Sequence, residues 1–282
     1  MTVGEKTFGA RLVAAVEARG PLCVGIDPHG ALLARWGLSE DPAGLERFAR
    51  TVVDALGEQV AVLKPQIAFF ERFGSRGLAV LETVITQARQ AGALVLLDAK
   101  RGDIGSTVRA YAQAYLEPTS PLSVDAVTAS PYLGLGALRP LLEAAEAHQR
   151  GVFVLALTSN PEGRQVQHAV GPDGRTVAQT ILDEVAALNA GATPLGSIGV
   201  VVGATVGETG HDLSAVNGPF LAPGLGAQGA TPADLRTVFG PVRRAVLPSV
   251  SREVLEQGPR VTALRDAAAR LIDVCRQVLL ES

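Results

Sequence analysis

A run of charged and hydroxyl side chains at residues 98–107 has the composition of a polar site. Asp98 and Lys100 follow five apolar residues, and Asp103 and Thr107 come shortly after them. Residues two apart on a strand point to the same side, so Asp98 and Lys100 are expected to face together. A surface ion-pair cluster would show the same residues. The apolar run favours a site, because it predicts a buried parallel strand, and ligands bind beyond the carboxyl ends of such strands.

Lys100 could act in either of two ways. A Schiff-base lysine reacts as the free amine, in apolar or cationic surroundings. Here Asp98 and Asp103 are close in sequence, and opposite charge favours the ammonium form. We therefore expect Lys100 to stay protonated and to donate a proton or stabilise developing negative charge. Lys64, at the end of an earlier apolar run, could extend this group to an alternating Lys-Asp-Lys-Asp array.

A glycine-rich loop, Pro223-Gly-Leu-Gly-Ala-Gln-Gly229, follows the seventh apolar run. Its spacing matches the dinucleotide fingerprint G-x-G-x-x-G. However, it comes late in the chain, and no acid ends the next apolar run, where a ribose-binding carboxylate is expected. A phosphate site fits better, because the loops after strands seven and eight often hold phosphate in barrels. Arg252, in Ser-Val-Ser-Arg, could add a bidentate contact, and the alternative is a surface charge.

Eight apolar runs alternate with helical or loop sequence, which favours a parallel sheet. The predicted strands lie at residues 22–27, 60–65, 93–98, 124–129, 152–158, 198–203, 220–222 and 245–247. Eight such units in this length predict an α/β fold in which residues 1–282 form a single-domain (β/α)8 barrel. An open doubly wound sheet is the alternative. Clear helical stripes lie within 45–56, 78–88 and 261–279, and loops are predicted at 28–44 and 160–175.

Composition excludes several classes of function. The chain of 282 residues has a net charge of −3 and no basic block, so nothing indicates nucleic acid or a membrane surface. The first residues lack a signal core, and no stretch approaches the length of a membrane span. Cys23 and Cys275 are predicted core residues, and the four histidines show no metal-binding spacing. We expect a cytoplasmic protein without a structural metal.

Taken together, the motifs resemble those of the orotidine 5′-phosphate decarboxylase family. The element Asp98-Ala-Lys-Arg-Gly-Asp-Ile-Gly-Ser-Thr107 is similar to that family's signature. The other elements follow in the family's order between Leu22 and Arg252: Asp27, Lys64-Pro65, Thr158-Ser-Asn-Pro161, the glycine-rich loop and Ser251-Arg252. The pieces 64–71 and 158–162 resemble the longer bacterial branch. Glu253 is a departure, because many relatives place a small glycine after the arginine.

The resemblance implies a homodimeric barrel that converts orotidine 5′-monophosphate to UMP and CO2, the last step of de novo pyrimidine nucleotide synthesis, without cofactor or metal. It implies that Lys100 protonates C6 of the pyrimidine as CO2 departs, and that Asp98 lies against the substrate carboxylate. Asp103 and Thr107 would reach the neighbouring subunit's site. The remaining implied contacts are Asp27 and Lys64 with ribose, Ser159 and Asn160 with the pyrimidine, and Gly226, Gln228 and Arg252 with phosphate.

Two other functions stay open at this point. A related sugar-phosphate decarboxylase or aldolase with the same D-x-K-x-x-D element would need Mg²⁺. Such an enzyme is expected to carry a glutamate near the end of the second strand, where this chain has Lys64. A non-enzymatic nucleotide-binding barrel would not need a complete array of lysines and aspartates.

Overall fold

Eight parallel strands form a closed barrel in the computed structural model, which describes residues 6–226 and 229–281. The strands are Cys23–Ile26 (β1), Val62–Pro65 (β2), Leu94–Arg101 (β3), Ala126–Ala129 (β4), Gly151–Leu157 (β5), Ile198–Val202 (β6), Phe220–Pro223 (β7) and Val246–Val250 (β8). Each strand pairs with its neighbours in chain order, and β1 also pairs with β8. The predicted (β/α)8 barrel is confirmed, because this last pairing closes the sheet.

Helices surround the barrel and follow most of its strands. They are Phe8–Arg19 (α1), Gly30–Arg35 (α2), Pro42–Leu56 (α3), Ala68–Glu71 (α4), Gly74–Gln90 (α5), Gly105–Leu116 (α6), Arg139–Ala147 (α7), Arg164–Gln167 (α8), Val177–Leu188 (α9), Pro232–Phe239 (α10), Arg252–Leu255 (α11) and Val261–Leu279 (α12). Within the described residues, no helix is both long and apolar enough to cross a membrane.

The core has two layers because each strand is apolar on both faces. The larger layer lies between the strands and the helices, and the smaller one fills the lower barrel interior. Helix α3 shows how the sequence directs this packing. Asp41 caps its first turn by accepting a hydrogen bond from the Gly44 N–H, and its apolar stripe is fully buried. Cys23 and Cys275 are buried free thiols, as predicted.

Helix α1 closes the lower end of the barrel. Its Phe8 ring packs edge-on against Phe153 of β5, with ring centroids 6.0 Å apart. Gly151 makes room for that ring, because a Cβ at this position would overlap it. Arg11 then donates a hydrogen bond to the buried Asp125 at 2.6 Å, which fixes the helix beneath β4. The opposite end of the barrel, where the strands terminate, is left open to ligand.

Two features of the sequence prediction need correction. Strand β3 does not end at Asp98 but continues to Arg101, across an irregularity in its pairing with β4. The segments 28–44 and 160–175, predicted as loops, contain the short helices α2 and α8 and the first turn of α3. Helices this short are stabilised by tertiary contacts and not by their own sequence. They also contain too few residues to show a helical repeat, so the sequence does not reveal them.

Candidate active site

A cavity of about 550 Å³ opens at the carboxyl ends of the strands. Its polar lining consists of Asp27, His29, Lys64, Gln66, Asp98, Lys100, Thr128, Thr158, Ser159, Asn160, Ser249, Ser251, Arg252 and Glu253. Polar residues from six of the eight predicted strand ends, all but those of β6 and β7, therefore meet in one space, as the barrel geometry requires. His29, Gln66 and Thr128 were not predicted from the sequence.

The centre of the cavity is an alternating chain of charges. Asp98 accepts a hydrogen bond from Lys64 Nζ at 3.1 Å on one carboxylate oxygen, and from Lys100 Nζ at 2.6 Å on the other. The Lys64 side chain is 7% exposed and the Asp98 side chain 10%, whereas that of Lys100 is 46% exposed. Lys100 therefore presents its ammonium group to the open space, held in place by a buried carboxylate.

The buried pair is ionised around neutral pH. Burial by itself lowers the pKa of Lys64, but the carboxylates of Asp98 and Asp27 outweigh it and raise the pKa. Burial by itself raises the pKa of Asp98, but the ammonium groups of Lys64 and Lys100 hold that pKa well below its usual range. Each partner favours the charged form of the other, so the site has a fixed charge pattern before any ligand binds.

Thr128 of β4 holds the tip of β3 in an unusual conformation. Its hydroxyl accepts hydrogen bonds from the backbone N–H groups of Ala99 at 3.0 Å and Lys100 at 2.9 Å, and donates one to Asp98 at 2.8 Å. Lys100 has a φ of +47°, which is uncommon for a residue with a side chain. The hydroxyl stabilises this turn of the backbone, and thereby aims both Asp98 and Lys100 into the cavity.

Asp27 lies at the end of β1 with an unused hydrogen-bonding oxygen. Its Oδ1 is buried and has no partner within the described part of the chain. An unpaired buried carboxylate oxygen destabilises a protein, and binding sites are where such atoms are tolerated. The adjacent strand contributes Lys64, whose ammonium interacts with this carboxylate through charge. Asp27 is therefore placed to accept hydrogen bonds from ligand hydroxyl groups.

The opposite side of the cavity carries the glycine-rich loop and the residues after β8. Arg252 and Glu253 line the cavity at the start of α11. Gly226 has a φ of +79°, and the Glu253 carboxyl group lies where a Cβ would project from it. Gly226 is thus behind Glu253 and does not line the cavity directly. Gln228 lies outside the described residues.

Asp103 and Thr107 do not reach the cavity of their own chain. Asp103 accepts a hydrogen bond from the neighbouring Ile104 N–H, and Thr107 is exposed on α6. Arg101, the last residue of β3, pairs with Glu71 outside the cavity. Beside the turn after β3 is an exposed apolar group, consisting of Ile104 at 62%, Tyr132 at 75% and Leu133 at 55% exposure.

The carboxylates and histidines of the chain are also candidate metal ligands. No group of three or more His, Cys, Asp or Glu side chains in residues 6–226 and 229–281 is arranged to hold a metal ion. The carboxylate of Asp98, which could serve as a ligand, is instead bonded to two lysines and a threonine.

Comparison with known proteins identifies the family. Residues 20–267 match the profile of the orotidine 5′-phosphate decarboxylase / HUMPS family. The chain belongs to this family. It is 70% identical to the orotidine 5′-phosphate decarboxylase of Salinispora arenicola, over 98% of this chain and 100% of that protein. It is 65% identical to the orotidine 5′-phosphate decarboxylase of Streptomyces coelicolor, over 93% of this chain and 95% of that protein.

Solved structures of the family share the same barrel. A crystal structure from Streptomyces avermitilis superposes with a TM-score of 0.95 at 64% identity, covering 98% of this chain and 96% of that one. The OMP decarboxylase of Leishmania donovani superposes with a TM-score of 0.76 at 29% identity, covering 98% of this chain and 100% of that one. The family and fold expected from the motifs are therefore confirmed.

Proposed function

We propose that this chain decarboxylates orotidine 5′-monophosphate to UMP and CO2 in pyrimidine nucleotide synthesis, within the cytoplasm. The observation that carries the proposal is the hydrogen-bonded array Lys64–Asp98–Lys100 at the centre of the cavity. The family and the names of its relatives at 70% and 65% identity support the same reaction.

The array suits a reaction that generates negative charge on carbon. Loss of CO2 from C6 of the pyrimidine leaves a carbanion in the plane of the ring, where no electron sink can delocalise it. An ammonium group already fixed beside that carbon stabilises the charge without reorganisation and can then supply the proton. Lys100 has both properties, since Asp98 holds it at 2.6 Å while its side chain stays partly exposed. We assign the proton transfer to Lys100.

The remaining cavity residues bind the rest of the nucleotide in this proposal. Asp27 and Lys64 bind the ribose, because the free Asp27 oxygen and the buried ammonium lie together at the ends of β1 and β2. Ser159 and Asn160 contact the pyrimidine. Arg252 and Gln228 hold the phosphate, whereas Gly226, predicted as a third contact, lies behind Glu253 and contributes the turn of the glycine-rich loop. Binding the phosphate, which is remote from C6, supplies energy that can be used in the chemical step.

The site also favours a dimer with shared active sites. Asp103 lies on the turn after β3 and Thr107 on the first turn of α6, and neither lines the cavity. The exposed Ile104 lies between them in sequence, and the segment carrying the exposed Tyr132 and Leu133 is joined to the end of β3 by the hydrogen bond from the Ser130 N–H to the Arg101 carbonyl. Exposed apolar groups of this kind mark protein–protein contacts. A two-fold pairing through this surface would bring Asp103 and Thr107 of one subunit to the cavity of the other. We propose that the active form is this homodimer.

The decisive assay uses the purified full chain with orotidine 5′-monophosphate, with and without EDTA. We expect decarboxylation that EDTA does not reduce. Turnover only of a sugar phosphate, lost on chelation and restored by Mg²⁺, would instead identify the related metal-dependent enzyme. Binding of UMP with no turnover of either substrate would identify a non-enzymatic nucleotide-binding barrel.

A further inference from the structure

We propose that Gln167, on the short helix α8, is a positioning residue for the pyrimidine end of the cavity. It acts through a directional chain of hydrogen bonds that orients the amide of Asn160, and this inference rests on the proposed function. Gln167 does not line the cavity, whereas Thr158, Ser159 and Asn160 do. The helix belongs to the segment 160–175 that follows β5.

Gln167 forms two hydrogen bonds with Thr158. Its Oε1 accepts a hydrogen bond from the Thr158 backbone N–H at 3.0 Å, and its Nε2 donates one to the Thr158 hydroxyl at 2.7 Å. Both contacts cross nine positions of the chain and close the segment back onto the end of β5. Two bonds to one residue restrict its backbone and its side chain together. The backbone is therefore fixed at the residue that immediately precedes the cavity residues Ser159 and Asn160.

The hydrogen bonds that link Gln167, Thr158 and Asn160 can point in one direction only. A backbone N–H can only donate, so Gln167 must turn its oxygen toward it and its Nε2 toward the Thr158 hydroxyl. The hydroxyl, having accepted that bond, gives its own proton to Asn160 Oδ1 at 2.7 Å. The Asn160 amide is thereby oriented with its Oδ1 toward Thr158 and its Nδ2 toward Glu162.

The hydrogen bond between Asn160 and Glu162 requires the same orientation of the Asn160 amide. Asn160 Nδ2 donates to Glu162 Oε2 at 3.1 Å. Hydrogen bonds from its own backbone N–H and from Asn160 hold the pKa of Glu162 below its usual range, so it is an ionised acceptor. An ionised carboxylate accepts only, which again requires the nitrogen of Asn160 on this side. Glu162 takes one of the two N–H groups, and the second remains for an acceptor on a ligand, such as a pyrimidine carbonyl.

The local packing is adapted to this contact. A Cβ on Gly163 would lie 2.8 Å from the Thr158 hydroxyl oxygen and 3.0 Å from Gln167 Nε2, so a larger residue would displace the side chains that form this contact. On the far side, the His168 ring packs edge-on against His211, with centroids 5.4 Å apart. His211 is itself bonded to Thr176 at 2.7 Å. The helix is thus held from both sides, with Gln167 directed at Thr158.

The test reverses the direction of the hydrogen bond between residue 167 and the Thr158 hydroxyl while keeping the size of the side chain. In Gln167→Glu, the new carboxylate has no N–H to donate, so it takes the Thr158 hydroxyl proton, and Asn160 loses one of the two bonds that orient it. The affinities of UMP and ribose 5-phosphate are measured by calorimetry on the full chain. We expect UMP to bind about tenfold more weakly, the scale of one lost hydrogen bond, and ribose 5-phosphate, which has no base, to be unaffected.

Gln165→Glu is the matched control, because it makes the same charge change at an exposed position of the same helix. It should leave both affinities unchanged. Thr158→Val removes the hydroxyl and should reproduce the selective loss, whereas Thr158→Ser should restore the wild-type values. In the double variant Gln167→Glu with Thr158→Val, the two losses should not add, because both break one chain.

Equal weakening of both ligands in Gln167→Glu, or an unchanged preference for UMP, would overturn the inference. These results differ from a failure of the proposed function, which would appear in the wild-type chain as absence of turnover. If a wild-type chain that decarboxylates the substrate binds UMP no better than ribose 5-phosphate, the inference about Gln167 falls and the proposed function stands. In a wild-type chain that decarboxylates the substrate, kcat/KM of Gln167→Glu should fall together with its UMP affinity.

Discussion

Lys100 is the residue on which the proposed proton transfer depends. Replacing it by alanine removes both the ammonium that stabilises the carbanion and the proton it supplies. We expect Lys100→Ala to lose at least about 10³-fold in kcat, within the range attributed to a positioned general acid. UMP affinity, measured by calorimetry, should be largely retained, because the phosphate and ribose contacts stay in place. Substantial residual turnover would count against Lys100 as the donor.

Asp98 is expected to stabilise the fold as well as the reaction. Asp98→Asn leaves the ammonium of Lys64, 7% exposed, without its main counter-charge. Breaking a buried pair on one side costs about 3–5 kcal/mol, so we expect a loss near the lower end, since Asp27 remains close to Lys64. The measurement is urea unfolding at pH 7, with the exposed Asp266→Asn as the control.

The ion pair between Asp98 and Lys64 also predicts how the free energy of unfolding depends on pH. The folded-state pKa of Asp98 is depressed, so its stabilising contribution is complete above the unfolded value of about 3.9 and is lost as pH falls toward the folded value. The difference in unfolding free energy between wild type and Asp98→Asn should therefore be constant from about pH 5 to 8 and shrink below about pH 4. A difference that stays constant down to pH 3 would show that the carboxylate charge is not what stabilises the fold.

Single residues differ in how far the sequence reveals them. Four cavity residues could be predicted: Asp27, Lys64, Asp98 and Lys100. Each is a charged residue at the end of an apolar strand, where packing of the core does not account for a charge. Thr128 could not, because a threonine within Ala-Val-Thr-Ala looks like any β-branched strand residue. Its role depends on the backbone N–H groups that β3 turns toward it, which is a property of the folded neighbours.

At the scale of elements, the strands were predictable and their ends were not. The eight apolar runs are long enough to define the barrel, since burial on both faces leaves a continuous hydrophobic signal. The extension of β3 to Arg101 carries Lys100 in a left-handed conformation, which charge and periodicity do not indicate. Helix α8 was missed because four residues show no helical period, although Gln167 within it makes the contacts that matter.

The loop after β8 leads to a prediction about phosphate. If Arg252 binds the phosphate, Arg252→Ala should lower kcat/KM. The fall should correspond to a loss of about 1.5–3 kcal/mol in transition-state stabilisation, the scale of a hydrogen bond to a charged group. The loss should shrink sharply with orotidine, the substrate that lacks phosphate. The exposed Arg260→Ala, eight positions further along the chain, is the control and should have no effect. An equal loss on both substrates would place the arginine outside the phosphate site.

At the scale of the whole molecule, the shared-site dimer predicts complementation. Lys100→Ala and Asp103→Ala are each expected to be inactive. When they are unfolded and refolded together, a mixed dimer has one site that lacks both residues and one site that is intact. Random pairing makes about half of the dimers mixed, so activity should recover to roughly a quarter of wild type.

Refolding each variant alone is the control and should restore nothing. If Asp103 instead serves its own subunit's cavity, every site in the mixture lacks one residue. Absence of recovery, with mixed dimers demonstrated by mass spectrometry, would therefore contradict the shared site. It would leave the proposed reaction itself untouched, since wild-type turnover is measured separately.

Helix α1, which closes the lower end of the barrel, has a consequence for the order in which the chain assembles during synthesis. The Gly9 N–H donates to the Ser197 hydroxyl, 188 positions later, and Arg11 binds Asp125, 114 positions later. At about 5–20 residues per second, a ribosome needs roughly ten to forty seconds to make the last of these partners. Helix α1 therefore waits, with its apolar face uncovered, and is among the last elements of the barrel to dock.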